Sequence, residues 1–349
     1  MPQIEVSIEG IFPLYYPGQS IKGICKIKIN QRLQAKAMSL AFMGRESVQF
    51  TTEKPVTSEN NQNHNDPNQQ RETITHSQLE NICSNRITIW GDDQRGLLSK
   101  TSTLDIGVYE HTFEFTLPYT TMPSSFNSKI GKIEYWVEVC VHKQLNFDFI
   151  EKKFVNIVDL YQLTKQLMTP LTMEQIKTIC CLWCTGGTIE IECGIDRKAY
   201  LSTDSIQLEL GISNYSARDV TGLFITLKRD DTYTANTETH KHTEVIAEQQ
   251  HQFLISSNSG ENDDHIFQIP IRPTMTPVLE TKLIKTAFTL TAKISVSWAV
   301  DVTFNFPIII ASTMNAIEPG YFLTQSWPLG VQLNLGKVRD ALPRYEDIK

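Results

Sequence analysis

Cys180, Cys181 and Cys184 form a Cys-Cys-x-x-Cys run with Cys193 following, and thiolates at this spacing can make half of a zinc knuckle. A closed structural site needs a second pair of similar geometry, and the sequence offers none. The reading is therefore of strand cysteines that pack as small hydrophobes, with no metal and no cofactor expected. His240 and His242, in THKHTE, sit among polar residues, as do the acidic doublets Asp92-Asp93, Asp230-Asp231 and Asp263-Asp264. Asp favours turns, and carboxylate pairs do acid-base work only beside a pocket, so these read as solvated connections. Neither a phosphate-cradling glycine loop nor a nucleophile elbow is present, so no catalytic residue is assigned and the chain is not expected to be an enzyme. One further stretch, ALPRYEDIK over 341–349, is either a frayed end or a docking peptide.

The elements that must position such residues are strands. In IKGICKIKI, Ile21, Gly23, Cys25, Ile27 and Ile29 face one way while Lys22, Lys26 and Lys28 face the other, the pattern of a half-buried strand. The same period of two runs through HTFEF, EYWVEV, TIEIEC, SIQLELGIS and GLFITLK, and again around Ile294–Trp298 and Phe304–Ile308. No long segment has a helical period; the best candidate is LTKQLMTPLTMEQIK, 163–177, interrupted by Pro170. Short strands separated by turn signals predict an all-β protein of two tandem antiparallel β-sandwich domains, immunoglobulin-like in type. The expected division is an N-terminal domain over 1–158, a linker over 159–178, a C-terminal domain over 179–312 and a tail over 313–349. Within SENNQNHNDPNQQ, 58–70, eight of thirteen residues are Asn or Gln, too polar to bury, which predicts a mobile insertion over about 52–80.

With 349 residues, the chain is long enough for two cores. Its net charge of −7 argues against general nucleic-acid binding and leaves only local basic faces, such as Lys22, Lys26 and Lys28, for acidic cargo or lipid headgroups. Seven cysteines, an odd number, read as reduced thiols of an intracellular protein, which would leave the sequon Asn214-Tyr215-Ser216 unused. No apolar run has the length of a membrane span and no signal-peptide pattern is seen; with Pro2 in place of glycine, any membrane association is expected only through partners.

Three stretches carry a family resemblance. YYPGQSIKGICKIKINQRLQAKAMSLAFMGRESV resembles the opening of an arrestin N-terminal domain, and GVYEHTFEFTLPYTTMPSSFNSKIGKIEYWVEV is similar to its next section. KTICCLWCTGGTIEIECGIDRKAYLSTDSIQLELGISNYSARDV, 177–220, resembles the start of the C-terminal domain of α-arrestins, and FPIIIAS is similar to that domain's last strand. The resemblance implies an arrestin-like fold and a non-enzymatic adaptor that presents cytoplasmic segments of membrane receptors or transporters to NEDD4-class ubiquitin ligases. In that family the ligase's WW domains read PPxY motifs: a preformed polyproline turn slots between aromatic rings and the tyrosine fills a second pocket. Here Pro343 and Tyr345 keep the spacing, Leu342 stands where the first proline would be, and Glu346 and Asp347 follow. The implied setting is the cytoplasm, with recruitment to the plasma membrane and endosomes. IEVSIEGIF lacks the lysines with which visual arrestins and β-arrestins sense receptor phosphates. The alternative reading is a ligase-independent, retromer-like cargo scaffold.

Overall fold

Alternation becomes strand throughout the computed structural model, which describes residues 2–9, 14–55, 71–91, 102–119, 122–143, 148–159, 161–163, 165–181, 184–260, 262–271, 277–311 and 314–316. Contacts divide the chain into two compact units, with the main boundary after Asp159. The first holds β1 (Gln3–Ile8), β2 (Leu14–Tyr15), β3 (Ser20–Ile29), β4 (Leu33–Pro55), β5 (Arg71–Gly91), β6 (Ser102–Leu104), β7 (Gly107–Thr116), β8 (Phe126–Asn127), β9 (Gly131–Lys143) and β10 (Phe149–Ile157). One sheet has the order β1-β3-β7, the other β2-β10-β9-β4-β5, with β6 on β4 and β8 on β9.

Inward residues of both sheets meet in one core. Ile21, Cys25, Ile27 and Ile29 of β3 and Phe113 and Phe115 of β7 are buried, as are Leu40 and Phe42 of β4 and Tyr135, Val137, Val139 and Val141 of β9. Phe42 joins the layers, its ring 6.3 Å from Phe115 and 6.2 Å from Tyr135. Truncating a side chain so placed costs about 3–5 kcal/mol. The Tyr16-Pro17-Gly18-Gln19 turn feeds β3, with Gly18 at φ 84° and Gln19 N donating to Tyr16 O at 3.1 Å. Pro presets the first central position and only glycine takes the second at no steric cost.

The second unit holds β11 (Tyr161–Leu163), a 3-10 turn at Lys165–Leu167, β12 (Leu171–Cys181), β13 (Cys184–Ile195), β14 (Ala199–Leu201), β15 (Ser205–Asn214), β16 (Val220–Ala235), β17 (Glu238–Ile255), β18 (Asn262–Pro270), β19 (Ile284–Val296), β20 (Val302–Ala311) and β21 (Met314–Ala316). Its sheets run β12-β13-β15-β18 and β14-β20-β19-β16-β17, with β11 paired to β21. Ile189, Ile191 and Cys193 of β13 and Leu208 and Leu210 of β15 share a core with Leu223 and Ile225 of β16 and Phe304 and Phe306 of β20. The charged turn after β13 is pinned from inside: the buried Tyr200 hydroxyl lies 2.7 Å from both Asp196 Oδ1 and Arg197 O, sharing its one proton between them, and Arg197 Nη2 meets Asp204 Oδ2 at 3.0 Å. Gly187, at φ 83°, lies so close to Tyr215 that an added Cβ would stand 2.0 Å from its carbonyl oxygen.

The structure redraws several expectations. Strand occupies 52–55 and 71–80, so the expected insertion over 52–80 narrows, with Asn/Gln-rich 58–70 itself outside the described residues. Pairing with β4 out to Pro55↔Arg71 recruits polar residues that composition alone would leave loose. The helical candidate over 163–177 is a single 3-10 turn followed by strand, because Pro170 stops the helix and Leu171 and Met173 pair with Ile195 and Cys193 of β13. The linker expected over 159–178 and the C-terminal domain expected from 179 thus meet within one strand.

Asp230-Asp231 is not a turn either: it lies inside β16, with Asp231 only 1% exposed. Arg229 Nη2 at 3.1 Å and Thr286 Oγ1 at 2.9 Å compensate its carboxylate. Asp263-Asp264 likewise lies in β18. Between β19 and β20, where neither Gly nor Pro marks a turn, Trp298 takes φ 56° and is 91% exposed. Asn214 is fully buried, its Nδ2 donating to the carbonyls of Arg218, Ile255 and Ser256, so the sequon presents no accessible amide.

Candidate functional site

Leu342, Pro343 and Tyr345 lie outside the described residues. The other match to their pattern, Phe12–Tyr15, ends in a structural tyrosine: Tyr15 is buried in β2 and its hydroxyl donates to Glu9 O at 3.3 Å. The three candidate lysines do come together, on the outer face of β3. Their neighbours alter what that face can do. Lys22 Nζ is 3.1 Å from Glu114 Oε1 and Lys26 Nζ is 3.0 Å from Glu110 Oε1, across the β3–β7 register. Glu5 of β1 stands opposite Lys26 from the other side, while Lys28 is flanked by Gln3 and Val108. The Ser20 hydroxyl and the Lys22 ammonium hold the Glu114 carboxyl below its ordinary range, and the Glu110 contact raises Lys26. Three lysines thus face three glutamates, a balanced ladder rather than a cationic patch.

A denser constellation lies on the outer face of the β10-β9-β4-β5 sheet. Period-two geometry points Trp136, Glu138, Cys140 and His142 of β9 away from the core that Tyr135, Val137, Val139 and Val141 fill. Ser39 of β4 stands opposite Cys140 in the register, Arg86 comes from β5, and Asp148 precedes β10. His142 Nδ1 is 2.9 Å from Asp148 Oδ2 and 3.4 Å from Cys140 Sγ, while Nε2 is 2.9 Å from Ser39 Oγ. The thiol reaches Asp148 Oδ2 at 3.7 Å, and Lys143 N donates to Asp148 Oδ1 at 2.9 Å. Arg86 Nη1 donates to Ser39 Oγ at 3.0 Å and lies 3.3 Å from Nε2.

Burial, then the carboxylates of Asp148 and Glu138, push the Cys140 thiol up to about 12. Burial would raise Asp148 as well, but the Lys143 amide and His142 outweigh it and leave its carboxyl below the ordinary value. The order Asp148–His142–Ser39 has the hydrogen-bond spacing of a nucleophile relay. Ser39 is only 1% exposed and its oxygen already takes the Arg86 proton, so the arrangement presents no nucleophile to a substrate.

Beside it, Trp136 is buried under cations and an aromatic ring. Lys152 Nζ stands 4.4 Å from the indole centroid, Arg45 Cζ 5.2 Å and the Phe154 ring 6.1 Å. Glu138 ties the group together, accepting from Trp136 Nε1 at 3.2 Å and meeting Arg86 at 3.6 Å and Lys152 at 3.8 Å. Phe154 remains 53% exposed and Ile150 52%. Along Phe149–Val155, β10 pairs with β9 on one side, and among the described residues no strand pairs with the other. An unpaired edge beside exposed apolar and charged side chains is a place where an extended peptide can add as a strand.

The sequence reading missed this face. Cys140-Val141-His142 on a strand puts both donors on one side, but Asp148, Ser39 and Arg86 arrive only through pairing. The cysteines first singled out are elsewhere: Cys181 and Cys184 pair across the β12–β13 hairpin end, and Cys193 is buried in the second core with its thiol pushed up to about 12 by desolvation.

Residues 4–164 match the model for the arrestin (or S-antigen) N-terminal domain, and residues 185–315 that for the arrestin (or S-antigen) C-terminal domain. Among curated proteins, thioredoxin-interacting protein of Mus musculus is 25% identical over 248 residues, covering 69% of this chain and 61% of that protein. The Homo sapiens form is likewise 25% identical, over 69% of this chain and 62% of its own length. Arrestin domain-containing protein 4 of Homo sapiens is 24% identical over 254 residues, 70% of this chain and 59% of that protein. The matches thus span about three-fifths of these relatives' length.

Proposed function

The chain belongs to the α-arrestin family, an adaptor-like family with the arrestin fold, and from that premise we propose that it links membrane cargo to NEDD4-class ubiquitin ligases for endocytosis and endosomal sorting. The observation that carries this reading is the Leu342-Pro343-Arg344-Tyr345 sequence with Glu346 and Asp347 behind it, beyond the matched C-terminal domain that stops at 315. Its Pro-to-Tyr spacing suits a WW domain, for which the rigid proline turn costs little ordering entropy. Cargo is held by the body, and the β10 edge with Ile150, Phe154 and the cations around Trp136 suits an extended cytoplasmic segment of a membrane protein. The protein does no chemistry in this reading. It works in the cytoplasm and reaches plasma membrane and endosomes through what it binds.

The test is a reconstituted reaction with a NEDD4-class ligase and the full chain. The wild type is expected to be ubiquitylated at least tenfold faster than Tyr345→Ala. Equal rates would leave the ligase-independent cargo scaffold as the better reading.

A further inference from the structure

We propose that Cys140, His142 and Asp148 form a zinc-binding site, with three protein ligands and one position open to water or to a side chain of a bound partner. Their donor atoms lie within 4.8 Å of one another. Sγ to Nδ1 is 3.4 Å, Sγ to Oδ2 is 3.7 Å and Nδ1 to Oδ2 is 2.9 Å. In tetrahedral zinc, with bonds near 2.3 Å to sulfur and 2.0–2.2 Å to nitrogen and oxygen, the same edges measure about 3.4–3.6 Å. Two edges already agree within about 0.2 Å, and the third needs to open by about 0.5 Å.

The backbone prepares the triangle. Cys140 and His142 are two apart on one strand, so both point off the same face. Asp148 is anchored through Oδ1 by the Lys143 amide, which leaves Oδ2 to face the other two donors. With Nδ1 on the metal, the opposite ring nitrogen, Nε2, donates its proton to Ser39 Oγ at 2.9 Å, the outer hydrogen bond that fixes a ligand imidazole. Arg86 sits behind the ring at Nε2 rather than at the donor triangle, and Glu138 meets its charge at 3.6 Å. Thiolate, imidazole and carboxylate together favour zinc over magnesium or calcium, which prefer oxygen donors alone. On uptake the Zn–S bond forms as the Cys140 thiol proton leaves to solvent, and the Zn–N bond forms as Nδ1 gives up the proton it shares with Asp148 Oδ2 while Nε2 carries the ring proton; the thiolate and carboxylate together balance the ion's two charges.

The competing account is that the same contacts are a metal-free clasp closing the β9–β10 hairpin. Chelator-treated full-length protein is titrated with Zn²⁺ against a chromophoric competitor, and with Co²⁺ followed by absorption. The site predicts one ion per chain and a thiolate-to-cobalt charge-transfer band. Affinity should fall at least 100-fold in Cys140→Ser and His142→Gln, and about tenfold in Ser39→Ala, the loss expected on removing an outer-shell partner. Cys180→Ser/Cys181→Ser/Cys184→Ser should bind as the wild type does. Should Cys140→Ser fail to fold, Asp148→Asn, at a partly exposed position, is the second variant and should weaken binding at least tenfold. Uptake well below one ion per chain, or uptake unchanged in Cys140→Ser or Asp148→Asn, overturns the site and leaves the clasp.

Discussion

The lysine face of β3 invites a quantitative test of whether shared orientation is enough to make an anion site. Lys22 and Lys26 are each about half exposed and paired to Glu114 and Glu110, while Glu5 stands by Lys26 in the β1–β3 register. Ion pairs this exposed add little to stability, so Glu110→Gln/Glu114→Gln should fold normally. Electrostatically the change is larger: three lysines facing three carboxylates become three facing one. Near an anionic bilayer the two unmasked lysines together should raise partitioning about 30-fold. Co-sedimentation with phosphatidylserine-containing vesicles at low salt reads this directly. The wild type should bind weakly, the double variant about 30-fold better, and 0.5 M salt should erase the difference by screening. Strong wild-type binding that Lys22→Ala/Lys26→Ala/Lys28→Ala abolishes would show that the glutamates do not mask the face, and the reasoning would fail.

Removing the buried carboxylate in Asp231→Ala should cost about 3 kcal/mol, because Arg229 keeps only the half-exposed Glu244 at 2.9 Å, and Arg229→Met alongside it should restore most of the loss in a urea titration. The β16–β17 turn places Asn236 at φ 50° and Thr237 at φ 73°, so Thr237→Gly should raise the urea midpoint by the equivalent of about 1 kcal/mol; a lowered midpoint would contradict the strain argument. Burial pushes the Cys25 and Cys193 thiols up to about 12 from an ordinary 9.0. A pKa raised in the folded state favours the protonated thiol there, so that stability is whole below pH 9 and drains as pH rises toward 12, by about 1.4 kcal/mol per pH unit for each thiol. Cys25→Ala/Cys193→Ala should therefore flatten the alkaline limb of a stability profile followed by circular dichroism.

Much of the fold was legible because its strands alternate cleanly: the outward lysines of β3 and the inward Ile189, Ile191 and Cys193 of β13 follow from period two alone. Legibility failed where polar residues face inward or long ladders hold polar sequence. Asp231 reads as a turn residue until Arg229 and Thr286 are seen to compensate it, and 71–80 reads as loop until β4 pairs with it. The outer face of β9 was invisible for a different reason. Cys140, His142 and Asp148 are near one another in sequence, but Ser39 and Arg86 come from distant stretches, and only the register of β4, β5 and β9 brings them within hydrogen-bonding distance of His142. For the Leu342-Pro343-Arg344-Tyr345 segment, spacing is the whole of the argument.

That segment is also where the adaptor reading is most exposed to test. Isothermal titration of an isolated WW domain from a NEDD4-class ligase into the full-length protein, at physiological salt, measures the contact with no cargo or ubiquitin chemistry in the way. The account predicts saturable one-to-one binding that Tyr345→Ala weakens at least tenfold and that Leu342→Pro strengthens by completing the proline turn. No binding by the wild type, or equal binding by Tyr345→Ala, would contradict it.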